Sequence, residues 1–284
     1  MLSYRPFAAA FIAVAAAAAP AVEAGPRADD AGLVVASLGP GARVDWTRGL
    51  LIATGAAAAD LRAASPELAR FAAERQAREA ARRRLRQLAR GLDLAGGREL
   101  GAALTGAAAE RFDRALDAVL DERIDHASDG SVVLAAALPL EAVRAALFGP
   151  SPPAAAKTER GPTAIVVEAG RHLKRPAVGV KLAAGGERYG GPTVFAVRAD
   201  ELGAERLGAR PLRVRARGYR GGALQLAGDD AGHLAEARAA GALVVVELAG
   251  YRPGRADKAR PRSGVKHDEN DESRSDEDES RQGR

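Results

Sequence analysis

"LLIATGAAAAD", residues 50–60, decides how the rest of the chain is read. A short apolar strand, Leu50 to Ala53, runs into Gly55 and then toward a helix. Strand, glycine and helix in that order open nucleotide-binding folds. In those folds several glycines at fixed spacing bring backbone amides close to a pyrophosphate at the helix N-terminus. Here one glycine is followed by four alanines and Asp60, and no lysine-bearing phosphate loop occurs elsewhere. Gly55 is therefore read as a tight exit from a strand, with no nucleotide bound there.

Working outward, Val44 and Trp46 alternate with Asp45 and Thr47, the period of a strand with one buried face. Downstream, Ser65-Pro66-Glu67 opens a helix. Serine caps, proline is tolerated at the first helical position, and glutamate suits the positive end of the dipole. The helix is expected to run to Gly91. At about 100° per residue, Ala73, Ala77, Ala81, Leu85 and Leu88 share one side, and Arg75, Arg78, Arg82, Arg86 and Arg90 the other. A second helix is expected over residues 107–120. Asp129-Gly130 joins "ERIDHAS" to "SVVLAAALPL" as a β-hairpin, and residues 140–147 form a short helix. Strands are expected at residues 163–168, 193–197, 212–216 and 242–248, with a helix from Asp229-Asp230 to Gly241.

This order predicts an α+β fold in two small domains, strands with packed helices, and not a doubly wound sheet. The divisions are a signal peptide at 1–24, a leader at 25–42, a first domain at 43–147, a Pro- and Ala-rich linker at 148–162, a second domain at 163–251, and a charged tail at 252–284. The tail has almost no hydrophobic residues, so disorder is expected there.

The signal reading rests on Arg5, the apolar stretch from Phe7 to Ala19, Pro20, and the small residues Val22 and Ala24 around Glu23. Cleavage is expected between Ala24 and Gly25. The apolar stretch is short and mostly alanine, which argues against a membrane span. The mature chain is thus expected to be soluble, periplasmic or extracellular, with no transmembrane span.

Hydrophobic residues make up 47% of the chain, enough for a core, but aromatics only 4%, so Ala, Leu and Val must build it. There is no cysteine, which excludes disulfides, thiolate catalysis and zinc ribbons. The net charge is +5. Arginine dominates it beside abundant alanine and glycine, as GC-rich coding also produces. His126, His172, His233 and His267 lie far apart without metal-ligand spacing, and no hydrolase or metalloprotease motif occurs. Asp121/Glu122 and Asp229/Asp230 sit at element boundaries, where capping explains them. No catalytic, cofactor or metal residue is assigned.

The arginine stripe Arg75, Arg78, Arg82, Arg86 and Arg90 is the candidate partner face, able to grip a polyanion. The plain alternative is a solvated face part-neutralised by Glu74 and Glu79. Export argues against nucleic acid and leaves an envelope protein or an anionic envelope polymer.

"VDWTRGLLIATGAAA" followed by "ELARFAAERQAREAARRRLRQLARGL" resembles the bacterial LPP20-like lipoprotein family and the N-terminal domain of the flagellar assembly protein T. Val44, Trp46, Ala53, Gly55, Ala77, Ala80, Ala81 and Leu85 match the pattern, and "DGSVVLAAALPL" matches its hairpin. "TAIVVEAGRHLKRPAVGVKL", Tyr189-Gly190 and "GDDAGHLAEARAAGALVVVEL" resemble the second half of longer members. Three departures stand out: Gly25 in place of the lipidated cysteine, Glu168 where aspartate is usual, and Ala183 in place of an acidic pair. The resemblance implies envelope association, sometimes with flagella, and no catalytic residues. Together these readings predict a secreted, non-enzymatic, envelope-associated protein, structural or macromolecule-binding. The runner-up is a soluble periplasmic enzyme with its site assembled from scattered residues.

Overall fold

A computed structural model describes residues 33–150 and 161–251. The signal region with its Ala24/Gly25 junction, residues 151–160 of the linker, and the tail from residue 252 lie outside the described residues. The fold is mixed α+β, with several helices and sheets.

The first half is a five-stranded antiparallel sheet in the order β1-β2-β3-β5-β4, made of β1 (Val35–Gly39), β2 (Ala42–Asp45), β3 (Leu50–Ala57), β4 (Leu120–His126) and β5 (Val132–Pro139). β1 comes from the stretch read as a leader and pairs with β2 from Val35↔Asp45 to Gly39↔Ala42. β3 runs four residues beyond Ala53, because all of it through Ala57 finds partners in β5. β4 and β5 form the hairpin. Gly130, with φ 78, takes the left-handed turn position, and the Asp129 side chain accepts the Ser131 N–H at 2.9 Å.

α1 (Pro66–Arg90) crosses β3 and β5. Ser65 caps it, accepting the Leu68 N–H at 3.3 Å. Its buried stripe is Ala69, Ala73, Ala77, Ala81, Leu85 and Ala89, an i,i+4 row of mostly methyl groups. Such a row lets the helix backbone come close to the sheet, and Gly55 completes the fit. A β-carbon on Gly55 would overlap the Ala77 carbonyl oxygen and the Ala81 amide, and would lie 3.1 Å from the Ala80 carbonyl carbon. The glycine is a seat for the helix. After α1 come α2 (Leu100–Ala103) and α3 (Gly106–Asp117). α3 stops three residues short of Leu120, which starts β4. α4 (Leu140–Phe148) follows β5 directly.

The second half has two sheets. In the first, β6 (Ala164–Glu168), β9 (Thr193–Ala196), β10 (Pro211–Arg215) and β13 (Leu243–Glu247) run parallel in the order β10-β6-β13-β9. One face joins the main core. The other is covered by the 3₁₀ turn at Ala199–Leu202 and α5 (Ala204–Leu207). Burial on both faces explains the unbroken apolar runs "AIVV" and "LVVV". The second sheet, β11-β12-β7-β8, comprises β7 (Lys181–Ala184), β8 (Glu187–Tyr189), β11 (Gly218–Arg220) and β12 (Ala223–Gln225). These strands are too short for alternation to be read from sequence. α6 (Ala231–Ala240) packs over β7 and β8.

The halves share one apolar cluster running from Val34 to Leu248. At the seam, the Trp46 and Phe195 rings meet edge to face at 5.7 Å. The Phe195 N–H donates to the Trp46 carbonyl at 3.1 Å, and buried Thr47 Oγ1 donates to the Phe195 carbonyl at 2.8 Å while accepting the Val34 N–H at 2.8 Å. β9, the edge of the parallel sheet, is thereby covered by the first half.

Candidate functional site

The arginine stripe of α1 divides into tied and untied members. Arg78 grips Asp121 with a fork, Nε at 3.1 Å from both carboxylate oxygens and Nη2 at 2.6 Å from Oδ2. That carboxylate raises the Arg78 pKa above its ordinary value. Arg82 donates to the Asp117 carbonyl at 3.2 Å, and Arg86 lies 3.0 Å from Asp113. These three brace α1 against α3 and the start of β4. Arg75 and Arg90 have no ion-pair partner among the described residues. Glu74 lies 3.6 Å from His126, and its charge also acts on Arg78 one turn along the helix. Asp121 and Glu122 do not cap. They pair with Arg78 and with Arg48, the latter at 2.7 Å.

The three described histidines sit on different elements. His126 is exposed on β4, His172 follows β6, and His233 is exposed on α6, while His267 lies outside the described residues. No group of three or more histidine, aspartate or glutamate side chains able to hold a metal occurs among the described residues.

Two concave sites lie elsewhere. The first is a cleft of about 510 Å³ outside the carboxyl ends of the four parallel strands, where open parallel sheets bind ligands. Glu168, Asp200 and Glu247 face Arg171, Arg198, Arg213 and Arg215 across it. Its charges largely neutralise one another. Glu247 accepts the Ala199 N–H at 2.6 Å and meets Arg213 at 3.4 Å; Asp200 pairs with Arg213 and Arg198; Glu168 pairs with Arg215 at 3.1 Å.

The second is a groove of about 410 Å³ where the halves meet. α4 supplies Arg144 and Phe148, β7 Lys181, β8 Arg188 and Tyr189, and α6 Arg238. Its described lining residues include four cationic side chains and no carboxylate. Arg144 is buried and held rigidly. It donates to the two Glu141 carboxylate oxygens at 2.7 and 2.8 Å and to the Gly149 carbonyl at 3.0 Å. Lys181 Nζ stands 5.3 Å from the centre of the Phe148 ring, a cation–π contact, and that ring packs against Gly179. Arg188 is exposed with no ion-pair partner among the described residues, and Arg238 reaches Glu187 only at 4.0 Å. Tyr189 closes the floor. Its hydroxyl donates to the Ala242 carbonyl at 2.5 Å, and burial, aided by the Glu141 charge, pushes its pKa up to about 12.

Lys181, Arg188 and Arg238 carry no sequence motif, so periodicity does not find them. The resemblance flagged only their neighbours Tyr189 and Gly190. Compared with family models, with curated proteins and with solved structures, the chain matches none of them. Among the described residues, no helix is long and apolar enough to cross a membrane.

Proposed function

We propose that the chain is exported and acts as a non-catalytic, envelope-associated binding protein, and that its groove grips the anionic groups of an envelope polymer. The observation that carries this reading is the concentration of Lys181, Arg188 and Arg238 around one concavity with no carboxylate among its described lining residues. Guanidinium forks match phosphate and carboxylate oxygens two at a time, and lysine adds a mobile point charge. Arg144, forked onto Glu141, forms a fixed wall of the groove and not one of its gripping cations. The secretory pattern of residues 1–24 supports export. The resemblance to the LPP20-like and flagellar assembly T proteins supports an envelope setting and makes flagellar assembly one place for the role. Co-sedimentation of the chain from Gly25 onward with lipopolysaccharide aggregates and with peptidoglycan sacculi tests it. Binding should weaken steeply between low and physiological salt. Salt-independent binding, or capture of an envelope protein in place of either polymer, would move the reading to a different partner.

The second reading, a periplasmic enzyme, is favoured by the position of the other cleft at the carboxyl ends of the parallel strands, with His172 and Glu168 on its wall. Incubation with envelope fractions followed by mass spectrometry would support it if a product formed that His172→Ala abolished.

A further inference from the structure

We propose that the acidic run "DENDESRSDEDE", residues 268–279 of this same chain, docks in the basic groove and competes there with external polyanions. The inference rests on the reading of the groove as an anion site and names its resident occupant.

Charge is the first argument. The run sets eight carboxylates against the single arginine Arg274. The groove wall offers Lys181, Arg188 and Arg238 with no carboxylate among them. The α1 stripe is a poorer match, because Arg78, Arg82 and Arg86 already engage α3 and β4. The cleft at the carboxyl ends of the parallel strands carries three carboxylates of its own.

Reach is the second argument. Tyr251 is the last described residue, and its N–H donates to the Leu248 carbonyl at 3.0 Å, just past the end of β13. The other end of that strand adjoins the groove floor, where the Tyr189 hydroxyl donates to the Ala242 carbonyl, and Ala242 to Leu248 spans about 20 Å. Residue 268 follows Tyr251 by 17 positions. A connection of that length covers about 23 Å at random-coil dimensions, so the run reaches the groove without stretching. Residues 252–266 are basic, share the sign of the groove and serve as a spacer. Tethering raises the effective concentration of the run to the millimolar range, which lets weak, exposed pairs act together.

The consequence is a threshold. Ligands of low charge density do not displace the run, whereas a dense polyanion does.

Zero-length carbodiimide coupling of the chain from Gly25 onward, at low ionic strength, tests the contact. Mass spectrometry should find the Lys181 amine joined to a carboxylate in residues 268–279. A mixture of isotope-labelled and unlabelled chain should show the link within one molecule. The link should fall several-fold at about 0.5 M salt, where the Debye length is only a few ångströms. Replacing the eight carboxylates by amides should tighten lipopolysaccharide binding about ten-fold at low salt by removing the tethered competitor. Coupling of the run only to Lys258 or Lys266, or only between molecules, would overturn the proposal. Coupling at Lys181 without polymer binding by either protein would leave the contact standing and sink the polymer reading. Polymer binding that the amide variant leaves unchanged, without Lys181 coupling, would do the reverse.

Discussion

The carbonyl oxygen of Ala77 in α1 lies directly over Gly55 in β3, so closely that no β-carbon fits between helix and strand. This contact sets the spacing of the helix above the sheet and aligns the methyl row from Ala69 to Ala89 with the core.

Gly55→Ala should therefore destabilise the fold by about 3 kcal/mol, at the upper end of overpacking costs, since backbone and not a flexible side chain must move. Ala56→Val, an exposed neighbour on the same strand, should stay within about 0.5 kcal/mol. Urea unfolding checks both. Equal midpoints for the two variants would mean that the helix has no fixed seat on Gly55.

The arginines of α1 should separate into two groups. Arg78→Glu should lower stability by about 1 kcal/mol, because it puts like charges in contact at a partly exposed pair. The swap Arg78→Glu with Asp121→Arg should recover most of that loss. Arg75→Glu should change nothing measurable, and Arg90→Glu should cost only about 0.5 kcal/mol, from placing a negative charge at the carboxyl end of the helix dipole. Thermal unfolding of the set, read as a double-mutant cycle, decides.

Much of the fold was legible because it depends on local chemistry. Ser65-Pro66-Glu67 marks the start of α1, Asp129-Gly130 marks the hairpin, and the apolar runs mark β6 and β13. Gly55 reads locally as the exit from a strand, but β3 continues through it to Ala57; the reason for the glycine, a helix backbone pressed against it, is a tertiary fact that local sequence does not carry. β7, β8, β11 and β12 escaped because three or four residues hold too little period. The groove escaped for a related reason. Lys181, Arg188 and Arg238 lie far apart in sequence, and only the packing of α4 and α6 against the small sheet brings them together. The arginine stripe is the visible basic feature, yet three of its members are engaged by acids and carbonyls contributed by segments 27 to 43 residues downstream.

The Pro-rich linker suggests two separable folding units, whereas the seam of Trp46, Thr47 and Phe195 predicts one cooperative unfolding transition. Thr47→Val removes a buried hydroxyl that both donates and accepts, leaving the Phe195 carbonyl and the Val34 N–H short of a partner. The expected cost is about 1–3 kcal/mol. Calorimetry should show a single peak that shifts down in this variant. Two peaks, with only one shifted, would make the halves independent.

Tyr189 gives a pH signature. Burial keeps its phenol protonated in the folded chain, at about 12 against an ordinary 10.0. The folded state thus holds this proton longer than the unfolded state. The corresponding stabilisation is complete below the unfolded value and is lost as pH rises from about 10 to about 12. Ultraviolet titration should show the Tyr189 component, identified by its absence in Tyr189→Phe, ionising only toward the upper end of that window. Ionisation of that component near 10 in the folded protein would mean that the groove floor is open to water.

The most direct test of the account compares two triple charge reversals in lipopolysaccharide binding at low salt. Lys181→Glu with Arg188→Glu and Arg238→Glu alters the groove. Arg75→Glu with Arg90→Glu and with Arg83→Glu, an exposed α1 arginine that likewise has no ion-pair partner among the described residues, alters the untied arginines of α1. Both sets are surface changes that should leave the circular dichroism native. The groove variant should lose at least about ten-fold in affinity, as expected when several weak charge pairs are removed together, and the α1 variant should bind within about two-fold of the unaltered chain. Native-like binding by the groove variant, or equal loss in both, would contradict the assignment of the groove as the binding site.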